Sequence, residues 1–472
     1  MLKNPTPPTG SRIWPRANAG PRPTNAVRPG SPVSRAAPTA SPPDAHSEPM
    51  KNEKLLLALL VAVQFTNILD FVIMMPLGPQ LMPALGIGPR QFGLVISAYT
   101  FSAGATGLAA AFFLDRFNRK TALLALYVGF GLGTVACALA PTHHWLIAAR
   151  VLTGAFGGVL GSLVLAIVGD VVPEARRGQA IGVVMGAFSV ASVLGIPFGL
   201  FLAAHYSWHL PFVLLGGLSL VIGLIIYFVM PDLRGHMSAR PVPLSERAAG
   251  VFGLFRNPSV RYALLLTALL VLGQFTVVTF LSPSLVANVG FQNSQLGYVY
   301  LVGGALSFFT SPLVGRLADR YGKALVFSIA TLATIPVALA LTRLGPTPLP
   351  LVLCLTALFF VVVGGRFVPA TALATTVVAP RQRGSFMSLN TSVQQLAAGT
   401  AAYIAGLIVV QGPGGTLLHY ERVGYVAAAA SLLSLLVVRR IKPADAAAAG
   451  ESMGGPAAPR PVAAPVGEKV PE

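Results

Sequence analysis

Leu55–Pro79 reads LLLALLVAVQFTNILDFVIMMPLGP, a run about long enough to cross a bilayer as one helix, with a single acid, Asp70, inside it. On an insertion scale a mid-membrane Asp costs about 2.5–3.5 kcal/mol, and each Leu, Ile, Val or Phe returns about 0.3–0.6 kcal/mol. Fourteen residues of those four types outweigh the one acid, so the segment inserts with Asp70 aboard. The remaining acids of the chain fall in tails, in loops or at the edges of apolar runs. An ionisable group at membrane depth marks a functional site by default; the alternative is a capped or paired structural acid.

The rest of the chain has the same character. It is 54% hydrophobic and only 10% charged, too apolar for an average soluble domain. Twelve apolar segments follow one another at 55–79, 91–114, 121–140, 145–170, 179–203, 210–230, 262–286, 295–318, 324–342, 350–377, 385–410 and 423–438. The expected fold class is therefore an all-α integral membrane protein with twelve transmembrane helices. Residues 1–53 are a cytoplasmic tail, rich in Pro, Ala, Ser and Arg up to residue 49 and expected to be disordered. Met50 opens the short charged leader MKNEK and is a candidate start. Residues 54–230 and 262–440 form two six-helix bundles, joined by a polar cytoplasmic linker at 231–261, and 441–472 form a second disordered tail.

The net charge of +18 suggests a nucleic-acid partner until the basic residues are placed along the chain. With both termini inside, 28 of the 33 Lys and Arg lie on the cytoplasmic side, which is the positive-inside pattern of a bilayer protein. No nucleic-acid role is expected. Cys137 and Cys354 sit inside apolar spans and suggest neither a disulfide nor a metal site. His143, His144, His205 and His209 read as ordinary loop histidines, and no cleaved signal peptide is expected before the first span.

A shift of 204 positions superposes the first two spans of each half without a gap. Phe71 meets Phe275, Pro79 meets Pro283, Gly86 meets Gly290, Gln91 meets Gln295, Gly93 meets Gly297, and Asp115-Arg116 meets Asp319-Arg320. Parallel six-helix repeats of this kind are a transporter architecture, with the substrate site near the midplane between the halves. In this register Asp70 is matched by Gln274, so the halves differ in charge at one depth.

Gly315-Arg316-Leu317-Ala318-Asp319-Arg320-Tyr321-Gly322-Lys323 closely resembles the loop signature of the major facilitator superfamily, repeated after the second and eighth helices. The first copy keeps Asp115, Arg116, Arg119 and Lys120 but has Ala111 and Asn118 at the two glycine positions. Asn tolerates a left-handed backbone, so the turn at Asn118 is expected to survive. In the family these loops are a conformational latch, here Asp115, Arg116, Arg119, Gly315, Asp319, Arg320 and Gly322. Arg150-Val151-Leu152-Thr153-Gly154 resembles the family's Arg-x-x-x-Gly motif, whose arginine is linked to proton transfer. Helix rise places Asp70 about 24 Å from the inner face and Arg150 about 8 Å from the outer face, nearly one depth in a core about 30 Å thick. The alternative is an Arg that only satisfies carbonyls at a helix interface.

Gly195-Ile196-Pro197-Phe198-Gly199 resembles, in shortened form, the antiporter signature of the family's exporters. Gly195 and Gly199 form a ridge for close helix approach and Pro197 bends the helix. Candidate cavity residues are Thr66, Asn67, Met74, Gln274, Arg366, Asn390 and Gln394; Arg366 is expected to bind an anionic group or a carbonyl, the alternative being a structural role.

The resemblance implies two pseudo-symmetric six-helix bundles working by alternating access in a bacterial inner membrane. It implies proton-coupled efflux of a small drug-like, sugar or metabolite substrate, with protons and the lipid bilayer as the other partners. Asp70 and Arg150 would carry the proton coupling. The protein is expected to be a monomer, not an enzyme, with no cofactor beyond the proton gradient. The alternatives are a proton-coupled importer of the same fold and a non-transporting membrane sensor. Asp70→Asn is expected to insert and fold at least as well as the parent, because an amide is easier to bury than a carboxylate. Deletion of residues 1–49 is expected to leave insertion and transport intact; loss of folded protein in membranes of the expressing host would overturn this.

Overall fold

The computed structural model describes residues 53–233, 253–379 and 382–441. The expected tails, except Glu53, which begins α1, and Ile441, lie outside the described residues, as does most of the linker. Twelve long helices make up nearly all of what is described: α1 (Glu53–Ile73), α2 (Pro89–Phe113), α3 (Arg119–Ala138), α4 (His143–Val171), α5 (Glu174–His205), α6 (Leu210–Val229), α7 (Pro258–Ser284), α8 (Leu296–Tyr321), α9 (Lys323–Thr342), α10 (Leu349–Thr375), α11 (Arg383–Ile408) and α12 (Tyr420–Val438). Eleven are long and apolar enough to cross a membrane. The exception is α11, whose polar face carries Asn390, Thr391, Gln394 and Gln395. A two-stranded hairpin, Val410–Gln411 with Leu417–Leu418, joins α11 to α12.

Several helix ends shift by a few residues from the sequence expectation, and two of the shifts have a clear local cause. The first span does not run to Pro79. It ends at Ile73, turns through Met74–Leu77 and restarts as a short helix, Gly78–Leu85. Pro76 has no N–H to continue the α1 ladder, and Pro79 is preset for a first helical turn. At the other boundary α7 begins inside the expected linker. Asn257 accepts from the Ser259 N–H at 2.9 Å and Pro258 takes the first helical position.

The repeat extends to the conformation of single residues. Gly86 and Gly290 both close their helices with positive φ, 61° and 89°, a backbone that side chains rarely adopt. Gln91 accepts from the Gly88 N–H at 3.1 Å, and its mate Gln295 accepts from the Gln292 N–H at 3.0 Å. The shared residues at these positions thus do the same local work in both halves.

The halves meet along two seams. On one, α2 lies against α11 so closely that a Cβ on Gly93 would sit 2.7 Å from the Ala402 carbonyl oxygen. Ser97 on the same seam donates to the Gly399 carbonyl at 2.9 Å. On the other, α5 meets α8 through Pro197 with Gly297 and Ser192 with Gly304. At the end that carries Gly86 and Gly290, both halves share one apolar core including Leu77, Phe92, Phe280, Leu281, Val299 and Ala402. At the Asp-Arg end Leu108 of α2 packs on a smaller cluster with Phe386 and Leu389 of α11.

Within the first half, Gly154 brings α4 onto α2. A Cβ there would overlap the Tyr99 carbonyl oxygen, and backbone cannot yield as a flexible side chain does. Gly154→Ala is therefore expected to lose about 1–3 kcal/mol through overpacking. Gly217→Ala, in open space on α6, is expected to be neutral. Thermal unfolding in detergent, compared between the two variants, checks this; equal midpoints would show that the α2–α4 contact yields.

Candidate functional site

Asp70, three residues before the end of α1, is completely buried, and the Arg150 side chain from α4 is 1% exposed. Arg150 Nη1 lies 2.7 Å from Asp70 Oδ2. The Thr134 hydroxyl of α3 faces Asp70 Oδ1 at 3.1 Å and shares its hydrogen with the Phe130 carbonyl of its own helix. The guanidinium of Arg150 stands over the ring of Tyr99 from α2, 4.2 Å from Cζ to the ring centre. Four helices therefore converge on one carboxylate. A charge in hydrocarbon is tolerable when it is paired and its remaining lone pairs and protons are met. That condition is nearly fulfilled, with only Arg150 Nε lacking a partner.

Glycines set the approach of the helices around this cluster. Gly154 lets the Tyr99 backbone come close enough to slide its ring under Arg150. Gly195 and Gly199 of α5 face Leu69 and Ile73, the α1 residues that flank Asp70 on either side. Just before Pro197, α5 loosens into a π segment, Ala191–Gly195. The Tyr99 hydroxyl donates to Asn67 Oδ1 at 3.3 Å.

Four of the seven candidate cavity residues are buried. Thr66 and Met74 are fully buried, and Arg366 and Asn390 are 1% exposed. Thr66 bonds the Tyr127 hydroxyl at 2.8 Å, and Asn390 accepts from the Thr267 hydroxyl at 2.8 Å. Arg366 donates to Ser431 Oγ at 3.0 Å and to the Leu270 carbonyl at 3.4 Å, so of its two readings the contacts are those with neighbouring helices. Polar groups inside hydrocarbon satisfy one another across helices, which draws them into their own half. Asn67, Gln274 and Gln394 remain half-buried.

The two loop copies also differ. Gly322 has φ 95°, as the signature's glycine permits, but Asn118 does not adopt the left-handed turn expected for it. It sits at φ −55° and ψ 130° and uses its side chain instead. Its Oδ1 accepts from the Lys120 N–H at 3.0 Å, capping α3, and from the Leu233 N–H at 3.3 Å. Arg119 pairs with Asp170 of α4 at 2.9 Å. In the second copy Gly315 faces open space, Arg320 lies over Tyr321, and Asp319 has no ion pair among the described residues. The expectation for the Asp115 side chain lies outside the described residues, and Arg116 is exposed.

Thr134, Tyr99 and Asp170 are not singled out by sequence reasoning. Thr and Tyr are common in apolar helices, and Asp170 stands at the edge of a span. The one available signal was spacing, since Gly154 announces a close neighbour without naming it.

A family model described as Major Facilitator Superfamily matches residues 60–402. The MFS-type transporter YceJ of Bacillus subtilis is 26% identical over 355 residues, covering 74% of this chain and 88% of its own length. The inner membrane transport protein YdhP of Escherichia coli K12 is 30% identical over 281 residues, covering 57% of this chain and 68% of its own length. Among solved structures, a bacterial homologue of the human lysosomal transporter Spinster, inward-facing and unoccupied, superposes with a TM-score of 0.64 at 18% identity. That match covers 82% of this chain and 94% of the other, and it speaks for the fold.

The buried pair generates a stability prediction that reverses the expectation for Asp70→Asn. Removing the carboxylate leaves a guanidinium that cannot shed its charge, and breaking a buried pair costs about 3–5 kcal/mol. Asp70→Asn is expected to lower the unfolding temperature in detergent, and Asp70→Asn combined with Arg150→Met to recover much of the loss. A double variant no more stable than the single would show that the pair carries no buried charge cost.

Proposed function

The chain belongs to the major facilitator superfamily of secondary transporters, and from that premise we propose that it is a proton-coupled antiporter exporting a small organic substrate. The reading is carried by one observation, a carboxylate at membrane depth held by Arg150, Thr134 and the Tyr99 ring. Arg150 stands at 2.7 Å from the carboxylate, a contact between helices that a change of access state can make or break. An alternating-access cycle that changes this contact takes up a proton in one state and releases it in the other.

The α5 ridge supports the export branch of the family, because it resembles the exporters' signature and its Gly195 and Gly199 fit α5 around the Asp70 turn of α1, while Pro197 meets Gly297 of α8. The positive-inside distribution supports cytoplasmic termini and an inner-membrane location. Asn67, Gln274 and Gln394, the half-buried amides, supply neutral hydrogen-bonding groups suited to an amphipathic or uncharged substrate.

A susceptibility screen of an efflux-deficient host expressing the chain identifies the substrate, and proteoliposomes with an imposed pH gradient then test the coupling. Asp70→Asn, recovered as folded protein by size exclusion, is expected to lose substrate-driven proton movement while retaining substrate exchange that needs no net proton flux. A folded Asp70→Asn protein that remains proton-coupled would overturn the mechanism.

A further inference from the structure

Phe71 and Phe275 are mates in the 204-residue repeat, and their rings stack with centroids 5.7 Å apart and planes 24° from parallel. A residue touches its own mate only beside the pseudo-two-fold axis, so this contact marks the axis between the halves. Close by in sequence, Gly78 and Pro283 are one position from being mates, and they also meet. Phe71 stacks in turn on Tyr99 at 5.4 Å, and Tyr99 carries the Arg150 guanidinium on its ring. A continuous column thus runs from the buried ion pair to the second half. Phe71 is also the residue next to Asp70, so displacing its backbone displaces the carboxylate.

We propose that the Phe71–Phe275 stack is a gate on the pseudo-axis, and that Tyr99 is the positioning residue that transmits its state to the Arg150–Asp70 pair. The inference rests on the reading of Asp70 as the proton site. With the gate shut, Phe275 holds Phe71 against Tyr99, and Tyr99 offers Arg150 a platform beside the carboxylate. Parting of the halves withdraws Phe275, frees the two remaining rings and loosens Arg150 from Asp70. The titratable and charged groups facing Asp70 are Arg150 of α4, Tyr99 of α2 and Cys137 of α3. The rings of Phe71 and Phe275 are uncharged, so the gate acts through geometry and water exclusion.

The test uses purified full-length protein in liposomes holding a pH-sensitive dye, with no substrate added. Coupling of ordinary size moves an equilibrium about 5–150-fold, so Phe275→Ala is expected to raise proton influx about fivefold or more. Phe275→Leu, which keeps bulk but not the ring face, should leak in the same sense, and Phe275→Tyr should remain tight. Adding Asp70→Asn to Phe275→Ala should return influx to the parental rate. Folded Phe275→Ala and Phe275→Leu proteins without a leak, or a leak that survives Asp70→Asn, would overturn the relay. A second readout does not involve Asp70: Gln274→Cys, with Cys137 and Cys354 replaced by Ser, is labelled with an impermeant maleimide. Its labelling rate should rise when Phe275→Ala is added; an unchanged rate overturns the gate. Failure of the proton-site reading is seen separately, as a singly substituted Asp70→Asn protein that remains proton-coupled while the labelling still responds.

Discussion

The buried ion pair between Asp70 and Arg150 is the constraint to which much of the first half conforms. Two opposite charges at membrane depth are stable only if they touch and if the surrounding helices bring donors and an aromatic face. Asp70 therefore fixes where α4 must present Arg150, and Arg150 fixes where α2 must present Tyr99. Those demands explain the small residues nearby. Gly154 removes a side chain between α4 and α2, and Gly195 and Gly199 do the same between α5 and α1. A cluster of polar groups has thus selected the apolar packing around it.

The second half repeats the frame without the charge. Its helix ends reuse Gly290 and Gln295 as the first half uses Gly86 and Gln91, yet the mate of Asp70 is Gln274. Arg366 has neighbours of hydroxyl and carbonyl type rather than a carboxylate. At these helix ends the mates share backbone geometry, while at membrane depth they differ in charge. Asn118 and its counterpart Gly322 differ in backbone instead: Asn118 lacks the positive φ of Gly322 and makes two side-chain contacts, one reaching the start of the interhalf linker at Leu233.

How legible all this is in the sequence depends on how rare each residue type is in a membrane. Asp70 and Arg150 stand out because charges in apolar spans are scarce, and helix rise alone puts them at one depth. The repeat is legible because Gly and Gln at its turns have backbone duties that few residues can fill. Thr134 and Tyr99 are illegible for the opposite reason: they are ordinary helix residues whose facing depends on rotation about the axis. For the candidate cavity residues, a polar side chain in a span says that it has a partner, not whether the partner is a substrate or another helix. Thr66, Asn390 and Arg366 find theirs on neighbouring helices within their own halves.

The polarity of α11 has a consequence for how the chain is made. A helix carrying Asn390, Thr391, Gln394 and Gln395 gains little from lipid by itself, and its closest long neighbour is α2. On the ribosome α2 emerges long before α11, so the most weakly inserting helix arrives last but one, when its partner is already embedded. The face on which α11 comes to rest, the α2 surface at Gly93 and Ser97, is therefore made before α11 is.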